Sequence, residues 1–152
     1  MRPVKRTGRK GTDVMTPAQR RKCMSNIKGR DTGPEVSLRS ALWAAGLRYR
    51  LRQNLPGKPD ITFGMPRLAV FVDGCFWHGC PLHATKPKAR RKFWRDKLRG
   101  NKIRDRKVNI QLRKIGWDVY RVWEHEVARN SALAVQKILR LIKRRLRQNS
   151  KT

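Results

Sequence analysis

Apolar positions recur along the chain with two periods, and the points where one gives way to the other predict the elements. Thr16-Pro17 joins a capping hydroxyl to a proline suited to the first helical position, which predicts a helix to about Ile27. A second helix is predicted from about Pro34. Val36, Leu38, Ala41, Leu42 and Ala45 fall on one broad face, and Gly46 can take the left-handed conformation that ends it. The period then shortens to two. Leu47, Tyr49 and Leu51 alternate with Arg48, Arg50 and Arg52, predicting a strand with one wet, basic face. The turn-forming LPGKPD leads into a strand at Asp60–Phe63, and after GMPR the continuous apolar run Leu68–Val72 predicts a buried central strand. These three strands are expected to form the heart of a sheet. Residues 75–89 read as a loop rich in Cys, His, Pro and Gly. A long basic helix follows from about Arg90 to Lys114, with Gly100 as a point of interruption and Gly116 as its end. From Trp117 to Trp123 the alternation returns, with Trp117, Val119 and Arg121 on one face and Asp118, Tyr120 and Val122 on the other. A last helix, about Ser131 to Leu146, carries Leu133, Val135, Ile138, Leu139, Leu141 and Ile142 and closes in an RRLR run. The order ααβββαβα predicts a mixed α/β domain.

Length and charge narrow the picture. A chain of 152 residues fits one hydrophobic core, which excludes a two-domain enzyme. Residues 1–15 have the composition of a flexible basic arm, 16–147 are expected to form the single domain, and 148–152 a disordered tail. With 39 Lys and Arg against 10 Asp and Glu, the net charge of +29 calls for an anionic partner, and inside cells that is most often nucleic acid. No apolar run approaches the roughly 18 residues that span a bilayer, and no apolar segment follows the basic N-terminus as in a signal peptide. A cytoplasmic protein without a membrane partner is expected.

Scarce acids make each one informative. Asp96 and Asp118 sit among neighbours typical of a solvated face, but Asp60 and Asp73 fall at the edges of buried strands, where a carboxylate is held rigidly at a mouth. A strand-edge carboxylate in so basic a chain points to Mg²⁺, which takes oxygen ligands and substrate phosphate, and so to phosphodiester hydrolysis. For Asp60 alone, capping of the turn after Pro59 is an equal reading. The segment Cys75-Phe76-Trp77-His78-Gly79-Cys80-Pro81-Leu82-His83 puts two thiols and two imidazoles close together, and His125 follows the last strand. Cys75, Cys80, His83 and His125 supply the four ligands of a closed structural zinc site, with reduced, packed cysteines as the competing account. His78 is then left over, as a general acid or base or as a structural histidine. Phe76, Trp77 and Trp94 lie among many basic residues; core packing explains any one of them, whereas stacking on bases or wedging into a base step explains the group.

In this order GKPD, AVFVDGCFWHGC, KFWRDK, NKIRDRKVN and GWDVYRVWE resemble the very-short-patch repair (Vsr) DNA mismatch endonucleases, from about Thr16 to Glu126. The resemblance implies a restriction-endonuclease-like core, a mixed sheet flanked by helices, with a structural zinc. It also implies Mg²⁺-dependent nicking of double-stranded DNA 5′ of the T in a T·G mispair; a monomer is expected independently of the resemblance. It implies Asp60 and the main-chain carbonyl of Val72 as Mg²⁺ ligands, His78 as the catalytic histidine, and Glu35 and Asp105 as further catalytic-site polar residues. Phe76, Trp77 and Trp94 match the aromatic wedge, Lys97 a groove-contacting lysine, and Asn101 a polar position on the following helix. Departures are the absence of a lysine after the second strand, Asp73 where some relatives carry His, and His125 where some carry Cys. Two other readings share parts of this pattern: a noncatalytic nucleic-acid-binding module with a structural zinc, and a nuclease for a different lesion.

Overall fold

A computed structural model of the chain describes residues 15–26, 29–85, 87–88 and 90–150. Residues 1–14 of the expected arm, Ile27 at the expected end of the first helix, and 151–152 of the expected tail lie outside the described residues. Seven elements follow in the order α1 (Pro17–Ser25), α2 (Gly33–Ala44), β1 (Ile61–Phe63), β2 (Leu68–Asp73), α3 (Arg91–Lys114), β3 (Asp118–Trp123) and α4 (Glu124–Asn149). Thr16 caps α1 as its hydroxyl predicted, accepting the Gln19 N–H at 3.2 Å while the Gln19 side chain accepts the Thr16 N–H at 2.8 Å. Gly46, at φ +79°, follows the end of α2.

The sheet has three strands in the order β1-β2-β3, antiparallel on one side of β2 and parallel on the other. Central β2 is nearly all buried, as its unbroken apolar run predicted, and its side chains part by face. Leu68 and Val70 join Leu38, Leu42, Val122, Val135 and Ile138 in the core beneath α2 and α4. Ala69 and Phe71 join Val108 and Leu112 beneath α3 on the opposite face. The domain is therefore three layers deep, and the parallel pairing of β2 with β3 follows from the α3 crossover between them.

Three expectations need correction. Leu47–Arg52 is no strand: only Arg50 pairs, through reciprocal bonds with Thr62 of 2.8 and 2.9 Å. Arg52 then turns the chain away at φ +56°, so the alternation marks a segment lying against the sheet margin without a ladder. The observed order is accordingly ααββαβα. Gly100 does not interrupt α3, which runs unbroken over 24 residues. The last helix begins at Glu124 rather than Ser131 and is kinked at Asn130, whose extended backbone divides it. Asn130 Oδ1 accepts the N–H groups of Ala132 at 3.1 Å and Leu133 at 3.3 Å, capping the second segment where the sequence placed its start. That segment continues to Asn149, into the stretch read as a tail. No helix among the described residues is long and apolar enough to cross a membrane.

Candidate active site and metal centre

The LPGKPD turn delivers Asp60 to the sheet. Its packing is close: a side chain at Gly57, which has φ +74°, would meet Val108 Cγ1 of α3 at 2.4 Å. Asp60 N–H then donates to the Val70 carbonyl at 3.1 Å, and the Asp60 carboxylate accepts the Val72 N–H at 2.8 Å, fixing it beside the Val72 peptide. Burial pushes the Asp60 carboxyl up to about 6, helped by the charges of Glu35 and Asp73 and opposed by the Val72 N–H and Arg39. Glu35 is buried in the first turn of α2, where it accepts from Asp31 N–H at 2.9 Å, Thr32 hydroxyl at 3.0 Å and Arg39 Nη2 at 3.1 Å. Asp60, Glu35, Val72, Asp73, His78 and Asp105 all line one cleft of about 600 Å³. Acids that oppose one another's ionisation in one cleft fit a hard divalent cation.

His78 faces the cleft from the other side. Its Nδ1 lies 2.7 Å from Asp105 Oδ2 on α3 and 3.8 Å from Asp73 Oδ1 at the end of β2. A carboxylate only accepts, so the short contact calls for an N–H at Nδ1 and leaves Nε2 as the ring nitrogen not held by Asp105. Asp73 is raised above the usual carboxylate range by burial, with Arg121 and His78 working against that rise. Its nearest charge is Arg121, whose Nη1 is 2.6 Å from Asp73 Oδ1, so Asp73 belongs to the histidine side of the cleft.

Beside the cleft the loop after β2 closes on the start of α4. The ligand atoms of Cys75, Cys80, His83 and His125 all lie within 4.8 Å of one another. The His125 Nδ1 is 3.0 Å from Cys75 Sγ and 3.7 Å from Cys80 Sγ, and His83 Nδ1 is 3.9 Å from Cys80 Sγ. These separations suit the edges of a tetrahedron with metal–sulfur bonds of about 2.3 Å. Burial pushes the Cys75 thiol up to about 11, and neighbouring Cys80 and Glu124 add to the rise; such a group of donors fits a thiophilic cation. Glu124 Oε1 also accepts the Cys75 N–H at 2.7 Å, tying the loop to the helix.

The aromatic residues of this loop meet those at the start of α3. Phe76 packs edge-on against Trp77 at 5.0 Å and Trp94 at 5.2 Å between ring centroids, and Trp94 meets Phe93 at 5.3 Å. Asn101 is turned inward, its amide donating to the Trp77 carbonyl at 2.9 Å, while Lys97 is exposed on α3. Along α3, Trp94, Asn101, Asp105, Val108 and Leu112 follow helical spacing, so one stripe serves the aromatic cluster, the histidine and the core in turn. The sequence reading missed Arg121, Asn109, Arg39 and Phe93. The sequence puts Arg121 on the Trp117 and Val119 face of the last strand but assigns it no role.

Residues 12–84 match the family model described as DNA mismatch endonuclease Vsr. The chain is 41% identical over 134 residues to a type II nicking enzyme of Neisseria meningitidis serogroup C, covering 86% of this chain and 90% of that protein. A type II nicking enzyme of Haemophilus parainfluenzae is 40% identical, with 84% and 95% covered. The DNA mismatch endonuclease Vsr of Escherichia coli K12 is 40% identical, with 74% and 73% covered.

Proposed function

The chain belongs to the Vsr family of DNA mismatch endonucleases, and from that premise we propose that it nicks one strand of a duplex 5′ of the T in a T·G mispair. It acts as a cytoplasmic monomer, with a restriction-endonuclease-like core spanning 16–147, a catalytic Mg²⁺ and a structural zinc. The convergence of Asp60, Val72 and His78 on one cleft carries this reading.

Asp60 and the Val72 carbonyl would hold Mg²⁺, which supplies positive charge at the scissile phosphate and acidifies water there. His78 Nε2 accepts the proton of the attacking water as its oxygen bonds to phosphorus and the P–O bond to the leaving nucleotide breaks. Asp105 keeps the ring turned for this by accepting from Nδ1, 2.7 Å from its Oδ2. Glu35, held by Arg39 at 3.1 Å, stiffens the Asp60 side of the cleft. Cys75, Cys80, His83 and His125 would hold zinc and thereby stand the aromatic loop upright. Phe76, Trp77 and Trp94 enter the stack at the weakened pair, where unstacking costs least, and Lys97 follows the groove. Asn101 braces the Trp77 peptide from behind.

The decisive experiment is nicking of otherwise identical T·G and T·A duplexes with Mg²⁺ and with EDTA. Cleavage of only the T·G duplex, lost in EDTA, is expected. Equal cleavage of both duplexes would instead favour a nuclease of broader target.

A further inference from the structure

Arg121 sits midway along β3, opposite Phe71 in the parallel register. Its guanidinium lies 4.3 Å over the Phe71 ring and is mostly buried. All three nitrogens are engaged by protein groups. Nε donates to Asn109 Oδ1 at 3.1 Å, Nη1 to Asp73 Oδ1 at 2.6 Å, and Nη2 lies 3.4 Å from Asp105 Oδ1. The same Asp105 presents its other oxygen to His78 Nδ1. One planar fork thus joins the end of β2, two turns of α3 and, through Asp105, the histidine.

Resting on the endonuclease reading above, we infer that Arg121 is a positioning residue for the reaction: it holds Asp73 and Asp105 together so that Asp105 fixes the His78 ring with Nε2 toward the cleft. Two carboxylates converging on one imidazole repel each other and can each draw Nδ1 its own way. A guanidinium between them removes that competition and sets the plane of Asp105 through a rigid, directional contact. Each of its three nitrogens already faces Asn109, Asp73 or Asp105 and the guanidinium is mostly buried, so its effect is expected on turnover rather than on binding. Asp73 gains its role here too, as the residue that fixes the Arg121 fork.

The test uses the full chain carrying zinc, labelled with ¹⁵N-histidine, and compares wild type, Arg121→Met and Arg121→Lys. There are three histidines, and two of them belong to the thiol cluster, so the His78 ring signals stand apart. Wild type is expected to show His78 with the proton on Nδ1. In Arg121→Met the ring is expected to show mixed tautomers, with kcat on a T·G duplex down by about 10–100-fold and KM within about twofold. Arg121→Lys keeps the stem over Phe71 and one charge but not the fork, and it is expected to fold and to lose about tenfold in kcat. Unchanged His78 tautomer and kcat in both folded variants would overturn the inference, as would a raised KM with kcat kept, which would make Arg121 a DNA contact. If Arg121→Met does not fold, Arg121→Lys alone decides by the same two readouts. A wild type that fails to nick T·G duplex would sink the functional reading, while the tautomer comparison still judges Arg121.

Discussion

As the proposed Mg²⁺ ligand, Asp60 is held in a setting that costs the fold stability. Its folded-state pKa of about 6 lies above the ordinary value of 3.8, so the folded protein binds the proton more tightly than the unfolded chain. Stability from this group is therefore full below pH 4 and is lost as pH rises through about 6, a difference of about 3 kcal/mol from the shift. Asp60→Asn keeps an oxygen to accept the Val72 N–H while removing the charge. In metal-free buffer at pH 8 it is expected to unfold at higher temperature than wild type, by roughly 1–3 kcal/mol, with no advantage at pH 4 and no nicking at any pH. Thermal melts at the two pH values check the sign. His78 poses a different question, since Asp105 matters to it as an acceptor. Asp105→Asn can present an N–H to Nδ1 and so favours the wrong tautomer. It is expected to lower kcat by about 10²–10³-fold, close to the loss in His78→Ala, with the melting temperature little changed.

At the scale of elements, the thiol cluster is a staple between two of them. Cys75 and Cys80 belong to the loop after β2, and His125 to the first turn of α4, so a bound ion would close a segment of some fifty residues that contains all of α3 and β3. Cys80→Ser or prolonged chelation is expected to release about one zinc per chain and lower stability by at least about 3 kcal/mol, read by metal analysis and thermal unfolding. The spacing of these four residues was readable because metal chemistry constrains residue types. The Leu68–Val72 run was readable because a strand covered on both faces must be apolar throughout. By contrast Leu47–Arg52 shows which side chains face inward, yet pairing depends on its neighbour, and β1 offers only three residues. The early start of α4 was hidden because Glu124 and Glu126 look like loop acids, although Glu126 accepts the Trp123 N–H at 3.1 Å and opens the helix. Arg121 was harder still: its partners Asp73 and Asn109 are 48 and 12 positions away, and periodicity carries no information about such contacts.

Across the whole molecule, most of the few described acids are already paired with a cation. Among the described residues, Asp31 and Glu35 pair with Arg39, Asp73 and Asp105 with Arg121, Asp118 with Arg144 and Arg145, and Glu126 with Lys137. The net charge of +29 thus leaves a large excess of cations, including Arg140, Lys143 and Arg147 on the outer face of α4. Such a surface repels itself in the folded state and attracts phosphate, and one variable, ionic strength, weakens both effects. Raising KCl from 50 to 200 mM is therefore expected to raise the melting temperature of the free protein while lowering its affinity for duplex DNA by about 10³–10⁵-fold, as six to ten phosphate contacts would require. T·G and T·A duplexes are expected to share this slope and differ in intercept, because backbone contacts are blind to the mispair and discrimination comes from the energy of opening it. Trp94→Ala then separates the two contributions: it removes an uncharged wedge, so it should bring the two intercepts together and leave the slope as it was. A slope that changed with Trp94, or duplexes that differed in slope, would show that the mispair is read through the phosphates.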